Sequence, residues 1–291
     1  MKAVFALAGP LLMATACNDA ETNAVSQKPT AEELAATEGP TLTLTRLDCG
    51  TVEFKDMNGF FSDRPGVYPP GPGKVTDSCY LIRHDDDLMI WDTGLPAETK
   101  DKPMVRDGMA AKITRTLADQ LAELKIDPAD VDVLGISHMH GDHIGQAAQF
   151  GNARLVMGKR DFEMLAGKPE DTLRAWRGPG KKVTLGSGDV DVFGDGSVVT
   201  FYLPGHTPDH MGLLVNLPSG HVLLTGDLYH STIARQKRGV PPFNTSREET
   251  LKSMDRFEAN VKEGLGGKVT VIIQHEPADI AKLPPFPEAA K

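Results

Sequence analysis

The chain is poor in cysteine: there are three, Cys17, Cys49 and Cys79, and neither of the last two has the neighbours of a zinc-thiolate site. Aromatic residues are sparse at 6%, and the formal net charge of -9 comes without any long basic run. That balance excludes a protein that grips nucleic acid through its phosphates. Beyond the N-terminus no apolar run approaches the ~20 residues of a membrane-spanning helix. What remains, at 40% hydrophobic content, is one large globular domain with a tail.

The tail comes first. Met1 and Lys2 make a short positive end, and residues 3–16 are apolar and rich in small residues. Ala14-Thr15-Ala16-Cys17 then has the form of a bacterial lipobox, so residues 1–17 read as a signal peptide with Cys17 as its lipidation site. The competing reading is an ordinary secretory signal cut near the same alanines. Either one predicts export, to the periplasm or to a lipid anchor on the envelope. Residues 18–40 are polar and rich in Ala, Thr and Glu, a composition that buries little and predicts a flexible tether. The folded domain is expected over 41–291. In an oxidising compartment Cys49 and Cys79 can pair; as each sits in a strand-like run, two buried thiols are the alternative.

The domain opens with alternating residues, Thr41 to Leu47, which predict a half-buried strand continued by Thr51–Phe54. Residues 56–73 are broken by Gly and Pro and carry Met57, Phe60, Phe61 and Tyr68, either a satellite core or the apolar lip of a pocket. Ser78–Arg83 and Leu88–Trp91 predict a hairpin ending in Asp92-Thr93-Gly94, where Asp92 is placed to orient a neighbour. Met109, Ile113, Leu117, Leu121 and Leu124 recur at helical spacing and predict a helix over 105–124. Residues 168–188 read as a loop or lid. Ser246 with Glu249 marks a capped helix from Arg247 to about Val261.

The chemistry is concentrated in Ser137-His-Met-His-Gly-Asp-His-Ile-Gly145, directly after the apolar run 131–136. His138 and His140 project to the same side of an extended backbone and can share one ion. Asp142 and His143 begin a new turn and face a second. Three further strands end in a potential ligand: His206 after residues 197–203, Asp227 after 221–224 and His275 after 269–273. Five of the nine histidines fall at these strand ends. Singly each would pass for a turn residue. Together the seven donors are nitrogen and carboxylate only, a set suited to zinc or a similar borderline ion.

On these residues the chain resembles the metallo-β-lactamase-fold hydrolases, through the H-x-H-x-D-H pattern at His138–His143, Gly205-His206, Gly226-Asp227 and the late His275. Leu47–Gly50, Thr76–Ile82, Trp91–Gly94, Val240–Thr245 and Val271–His275 look most like the N-acyl-homoserine lactonases. The resemblance implies an α/β (α+β) fold, an αβ/βα four-layer sandwich, holding two Zn2+ ions or other divalent metals. By the same carry-over His138, His140 and His206 hold the first ion, Asp142, His143 and His275 the second, and Asp227 bridges them. It implies a lactone ring opened by a metal-bridging hydroxide, with Asp142 passing a proton to the leaving oxygen. Many such lactonases place a tyrosine three positions past the bridging aspartate. Here that position is His230, preceded by Tyr229, and either is available to assist the carbonyl.

The bridging Asp227 and the absence of a nearby cysteine count against β-lactamase activity; His140 counts against a flavo-diiron site. Phosphotriesterases of the methyl-parathion-hydrolase type and glyoxalase-II-like thioesterases share most of the ligand set and stay as alternatives, with a non-catalytic metal-binding protein behind them. The implied partner is a small lactone or ester with an apolar chain. The reading allows a homodimer, and membrane contact only through a lipid on Cys17.

Overall fold

The computed structural model describes residues 41–291, Asp107 excepted. The signal, lipobox and tether readings fall on residues outside these. The described residues form strands β1 (Leu42–Phe54), β2 (Gly73–His84), β3 (Asp87–Trp91), β4 (Met104–Arg106), β5 (Met109–Lys112), β6 (Val133–Gly135) and β7 (Arg154–Gly158). There follow β8 (Val183–Gly186), β9 (Val190–Asp191), β10 (Val198–Tyr202), β11 (Met211–Leu217), β12 (Gly220–Leu224) and β13 (Val269–Ile272). They make an eight-stranded sheet, β4-β5-β1-β2-β3-β6-β7-β8, and a five-stranded sheet, β13-β12-β11-β10-β9.

Alternation along the strands decides the layers. Leu44, Tyr80, Ile82, Met89 and Trp91 leave the first sheet and meet Val198, Leu213, Val215, Leu224 and Ile272 of the second in one shared core. The other face of the first sheet packs Leu81, Ile90 and Leu155 against Leu117 and Leu121 of helix Leu117–Glu123 and Phe162 of helix Lys159–Leu165. Beyond the second sheet, Phe201, Leu223 and Val271 are covered by Met254 and Phe257 of helix Arg247–Glu263. Each such side chain, fully buried, contributes about 1.5–3 kcal/mol. Helix, sheet, sheet and helix make the four-layer αβ/βα sandwich.

The expected helix over 105–124 is half wrong. Val105 lies in β4 and Met109 in β5, which pair as a hairpin and extend the first sheet beside β1. Gly108, between the two strands, takes a φ of 85° that a side chain would oppose. The helix starts only at Leu117, where the Thr116 side chain accepts from the Asp119 amide and the Asp119 carboxylate accepts from the Thr116 amide. Residues 168–188 are loop for most of their length, anchored where buried Trp176 donates to the Ala153 carbonyl at 2.8 Å, and they carry the short strand β8 near their end.

Cys49 and Cys79 are joined as a disulfide, Cα to Cα 5.7 Å, which settles the two alternatives. The bridge sits at a bulge where β1 slips register between Asp48 and Gly50. Past the bulge, Gly50 and Val52 stand opposite Asp77 and Val75, on the face of β2 that also carries Cys79.

Candidate active site

β6 ends at Gly135 and releases Ser137 and His138; His140 then caps the one-turn helix Gly141–Ile144 that carries Asp142 and His143. β10, β12 and β13 deliver His206, Asp227 and His275 to the same end of the sandwich. His138 Nε2 lies 3.0 Å from His140 Nδ1, and His206 Nε2 lies 3.2 Å from His138 Nε2 and 3.0 Å from His140 Nδ1. Around a tetrahedral ion with bonds of ~2.0–2.1 Å, donors stand about 3.3 Å apart. The three nitrogens therefore have the spacing of one ion's ligands.

Asp227 divides its two oxygens between two groups. Oδ2 lies 3.3 Å from His206 Nε2, 3.6 Å from His138 Nε2 and 3.0 Å from His230 Nε2. Oδ1 faces His143 Nε2 at 3.1 Å and His275 Nε2 at 3.0 Å. These approaches lack hydrogen-bond alignment at Oδ1, and both Asp227 Oδ1 and His143 Nε2 are buried without a hydrogen-bond partner. Two orphaned donor atoms at that price, about 1–3 kcal/mol each, fit a cation between them. Asp142 stands further out, its Oδ2 4.0 Å from His275 Nε2 and its side chain 30% exposed.

Protein groups fix the tautomers by taking the far nitrogen of each ring. His275 Nδ1 donates to the Thr76 carbonyl at 3.0 Å, and His206 Nδ1 meets Asn244 Oδ1 at 2.9 Å. His143 Nδ1 meets Asp92 Oδ2 at 2.9 Å, the orienting role expected of Asp92. Asp92 itself sits at φ 57° and is pinned by the Ser137 amide at 2.7 Å. Burial pushes His138 well below the usual histidine range and His140 down to about 3, so both rings keep a free lone pair at neutral pH. His143 and His275 go the other way against the burial cost: Asp227, chiefly, lifts His143 well above its usual range and His275 to about 9. That pair faces an excess of carboxylate charge, which a bound cation would neutralise.

Three contributors escaped the sequence reading. His210, whose Nδ1 donates to the Leu203 carbonyl at 2.9 Å, accepts the Asp227 amide on Nε2 at 2.8 Å and holds the backbone of that aspartate. Gln274 donates to Asp92 Oδ2 at 2.9 Å and accepts from Trp91 Nε1 and the Gly226 amide. Asp77 brings a buried carboxylate beside His143 and His275. A histidine four positions past His206 and a glutamine beside His275 were visible signals, but their partners are set only by the packing of the two sheets.

One expectation is corrected. Tyr229 does not face the site: its hydroxyl donates to Glu258 Oε1 at 2.9 Å, and its ring packs against Phe257 beyond the second sheet. Successive side chains in the extended stretch after Asp227 point opposite ways, so turning His230 inward turns Tyr229 outward. His230 stacks on His275, ring centroids 5.5 Å apart, and burial pushes it down to about 4. Tyr229→Phe should therefore leave kcat/KM within about threefold of the parent, losing one hydrogen bond worth ~1 kcal/mol of stability. His230→Ala should cost roughly 10–100-fold; steady-state rates of the pair decide between them.

A cavity of about 660 Å3 opens on His140, Asp142, Asp227, His230 and His275. Its walls are mainly apolar, with Val52, Phe54, Val75, Leu95, Met104 and Met109 and with Phe60, Phe61 and Phe243, and Arg106 and Glu170 add one charge of each sign. The expected lip is thus present in Phe60 and Phe61, while Met57 packs beneath, against Gly73.

Comparison with known proteins agrees with this geometry. Residues 72–261 match the model of the Metallo-beta-lactamase superfamily. The N-acyl homoserine lactonase AttM of Rhizobium radiobacter is 31% identical over 228 residues, 71% of this chain and 85% of the relative. An N-acyl homoserine lactonase of a Bacillus species is 28% identical over 230 residues, 75% of this chain and 89% of its own length. In fold, a quorum-quenching N-acyl homoserine lactone hydrolase superposes with a TM-score of 0.71 at 23% identity, over 85% of this chain and 98% of that one. With the His- and Asp-bearing strand ends, the two-sheet core and these matches in agreement, the chain belongs to the metallo-beta-lactamase superfamily, and it resembles the N-acyl homoserine lactonases within it.

Proposed function

We propose that this chain opens the lactone ring of N-acyl homoserine lactones at a two-metal centre. The observation that carries the reading is the apolar cavity that ends on Asp227, Asp142 and His230. An amphiphile with a polar ring and an aliphatic tail matches it: ring at the histidines, tail along Phe60, Phe61, Met104 and Met109. The curated relatives at about 30% identity are lactonases of such compounds.

His138, His140 and His206 would hold one divalent ion, and Asp142, His143 and His275 a second, with one oxygen of Asp227 turned to each. Two such ions, zinc being the natural candidate, supply an activated water and a polarised ester carbonyl at neutral pH. The chain's own groups do the rest. His230 Nε2, 3.0 Å from Asp227 Oδ2 and lining the cavity, is placed to donate to the carbonyl oxygen. Asp142, partly exposed and lining the cavity, would take the proton that the attacking water gives up and pass it to the ring oxygen as the acyl carbon–oxygen bond breaks. The phenyl walls exclude water from the tail and fix the ring's approach.

The test is a substrate panel on purified enzyme: acyl-homoserine lactones of several chain lengths, a phosphotriester and a thioester. The lactones should give kcat/KM at least ~100-fold above the other two and should improve with longer chains, at about 0.8 kcal/mol per buried methylene at most. A faster phosphotriester or thioester would sink the reading. We also propose that the protein is exported, by a signal over 1–17 and a tether over 18–40. The Cys49–Cys79 disulfide supports this, since such bridges persist in oxidising compartments.

A further inference from the structure

The lactonase reading leaves one buried carboxylate without a task. Asp77 lies on β2, on the face it shares with Val75, a residue of the cavity wall. It is 1% exposed, and its Oδ2 is buried with no hydrogen-bond partner. The charged groups around it are His275, His143, Asp142 and Asp227. Donor atoms of Asp77, His143 and His275 all lie within 4.8 Å of one another, and all three residues are buried. An orphaned carboxyl oxygen in such a place costs ~1–3 kcal/mol or more whether or not the acid is ionised. A cation shared with the two imidazoles removes that cost.

We propose that Asp77 is a further oxygen donor to the ion position of His143 and His275. This inference rests on the two-ion reading above and sharpens it. The positions become chemically unequal. The first has three imidazoles and a share of Asp227. The second has two imidazoles, Asp142, a share of Asp227 and now Asp77. A carboxylate-rich position suits harder ions such as Mn2+ better than an imidazole-rich one does, and it supports more than four ligands.

The test needs no substrate. Wild-type protein and Asp77→Asn, which keeps the shape and loses the charge, are titrated with Mn2+ and with Zn2+. Bound metal is then counted by elemental analysis after dialysis. Wild type should hold two ions. Asp77→Asn should keep the first and bind the second on the order of 100-fold more weakly, with the larger loss for Mn2+. Two ions held by Asp77→Asn with wild-type affinity would overturn the role of Asp77 and leave the two-ion centre standing. Fewer than two ions in the wild type would overturn both. Should Asp77→Asn fail to fold, anomalous scattering from a crystal of Mn2+-loaded wild type decides instead. An Asp77 oxygen within about 2.5 Å of the second ion supports the assignment, and one beyond direct coordination refutes it.

Discussion

Asp227→Ala should lower kcat/KM for lactone opening by more than ~1000-fold, upwards of ~4 kcal/mol of transition-state stabilisation. The size follows from position. Asp227 is the one residue whose two oxygens face both groups of imidazoles, His206 and His138 on one side, His143 and His275 on the other. Truncation removes a ligand from each ion position and leaves five buried imidazoles without their central carboxylate. The outcome should therefore show twice, in rate and in bound metal, with at least one of two ions lost per chain. Asp227→Asn separates charge from shape and should fall nearly as far. An Asp227→Ala protein with full activity would end the two-metal account.

Removing the metals should do as much and should also soften the fold. After exhaustive chelation, activity should fall to background and return on adding Zn2+ or Mn2+. If the free ion stands at ~1000 times its dissociation constant, binding contributes about 4 kcal/mol of stability. For a body of this size that corresponds to a fall of roughly 8–16 °C in Tm on chelation. The prediction is anchored in the unpartnered buried atoms, Asp227 Oδ1 and His143 Nε2, which gain in the native state from an ion and have no protein substitute. Unchanged activity and Tm in protein shown to be metal-free would contradict it.

The strand ends that bring His138, His206, Asp227 and His275 together were legible because each is announced twice, by an apolar run and by the His or Asp that follows it. The layers were legible for a related reason: alternation along Leu42–Leu47 and the apolar run that ends in buried Val271 and Ile272 state which faces are covered. What failed was local ambiguity. Met109, Ile113 and Leu117 satisfy helical spacing, yet Met109 stands opposite Phe54 of β1, and that pairing outweighs the helix pattern. Tyr229 and His230 are neighbours, and which one faces inward depends on how the chain leaves Asp227. The roles of Asp77, His210 and Gln274 were not legible, since each acts on a partner at least 17 positions away, as His210 does on Asp227.

Gln274 has one more consequence. Its amide is saturated: Nε2 serves Asp92 and the Ser78 carbonyl, and Oε1 takes the Trp91 indole and the Gly226 amide. A single side chain from the second sheet thereby fastens the turn that aims His143 to the turn that carries Asp227. The two halves of the centre cannot drift apart without breaking buried hydrogen bonds together. On the two-metal lactonase reading proposed above, loading should therefore need little reorganisation, and the dipoles around the ester should stay fixed while charge moves. One amide thereby sets how far His143 and Asp227 stand apart.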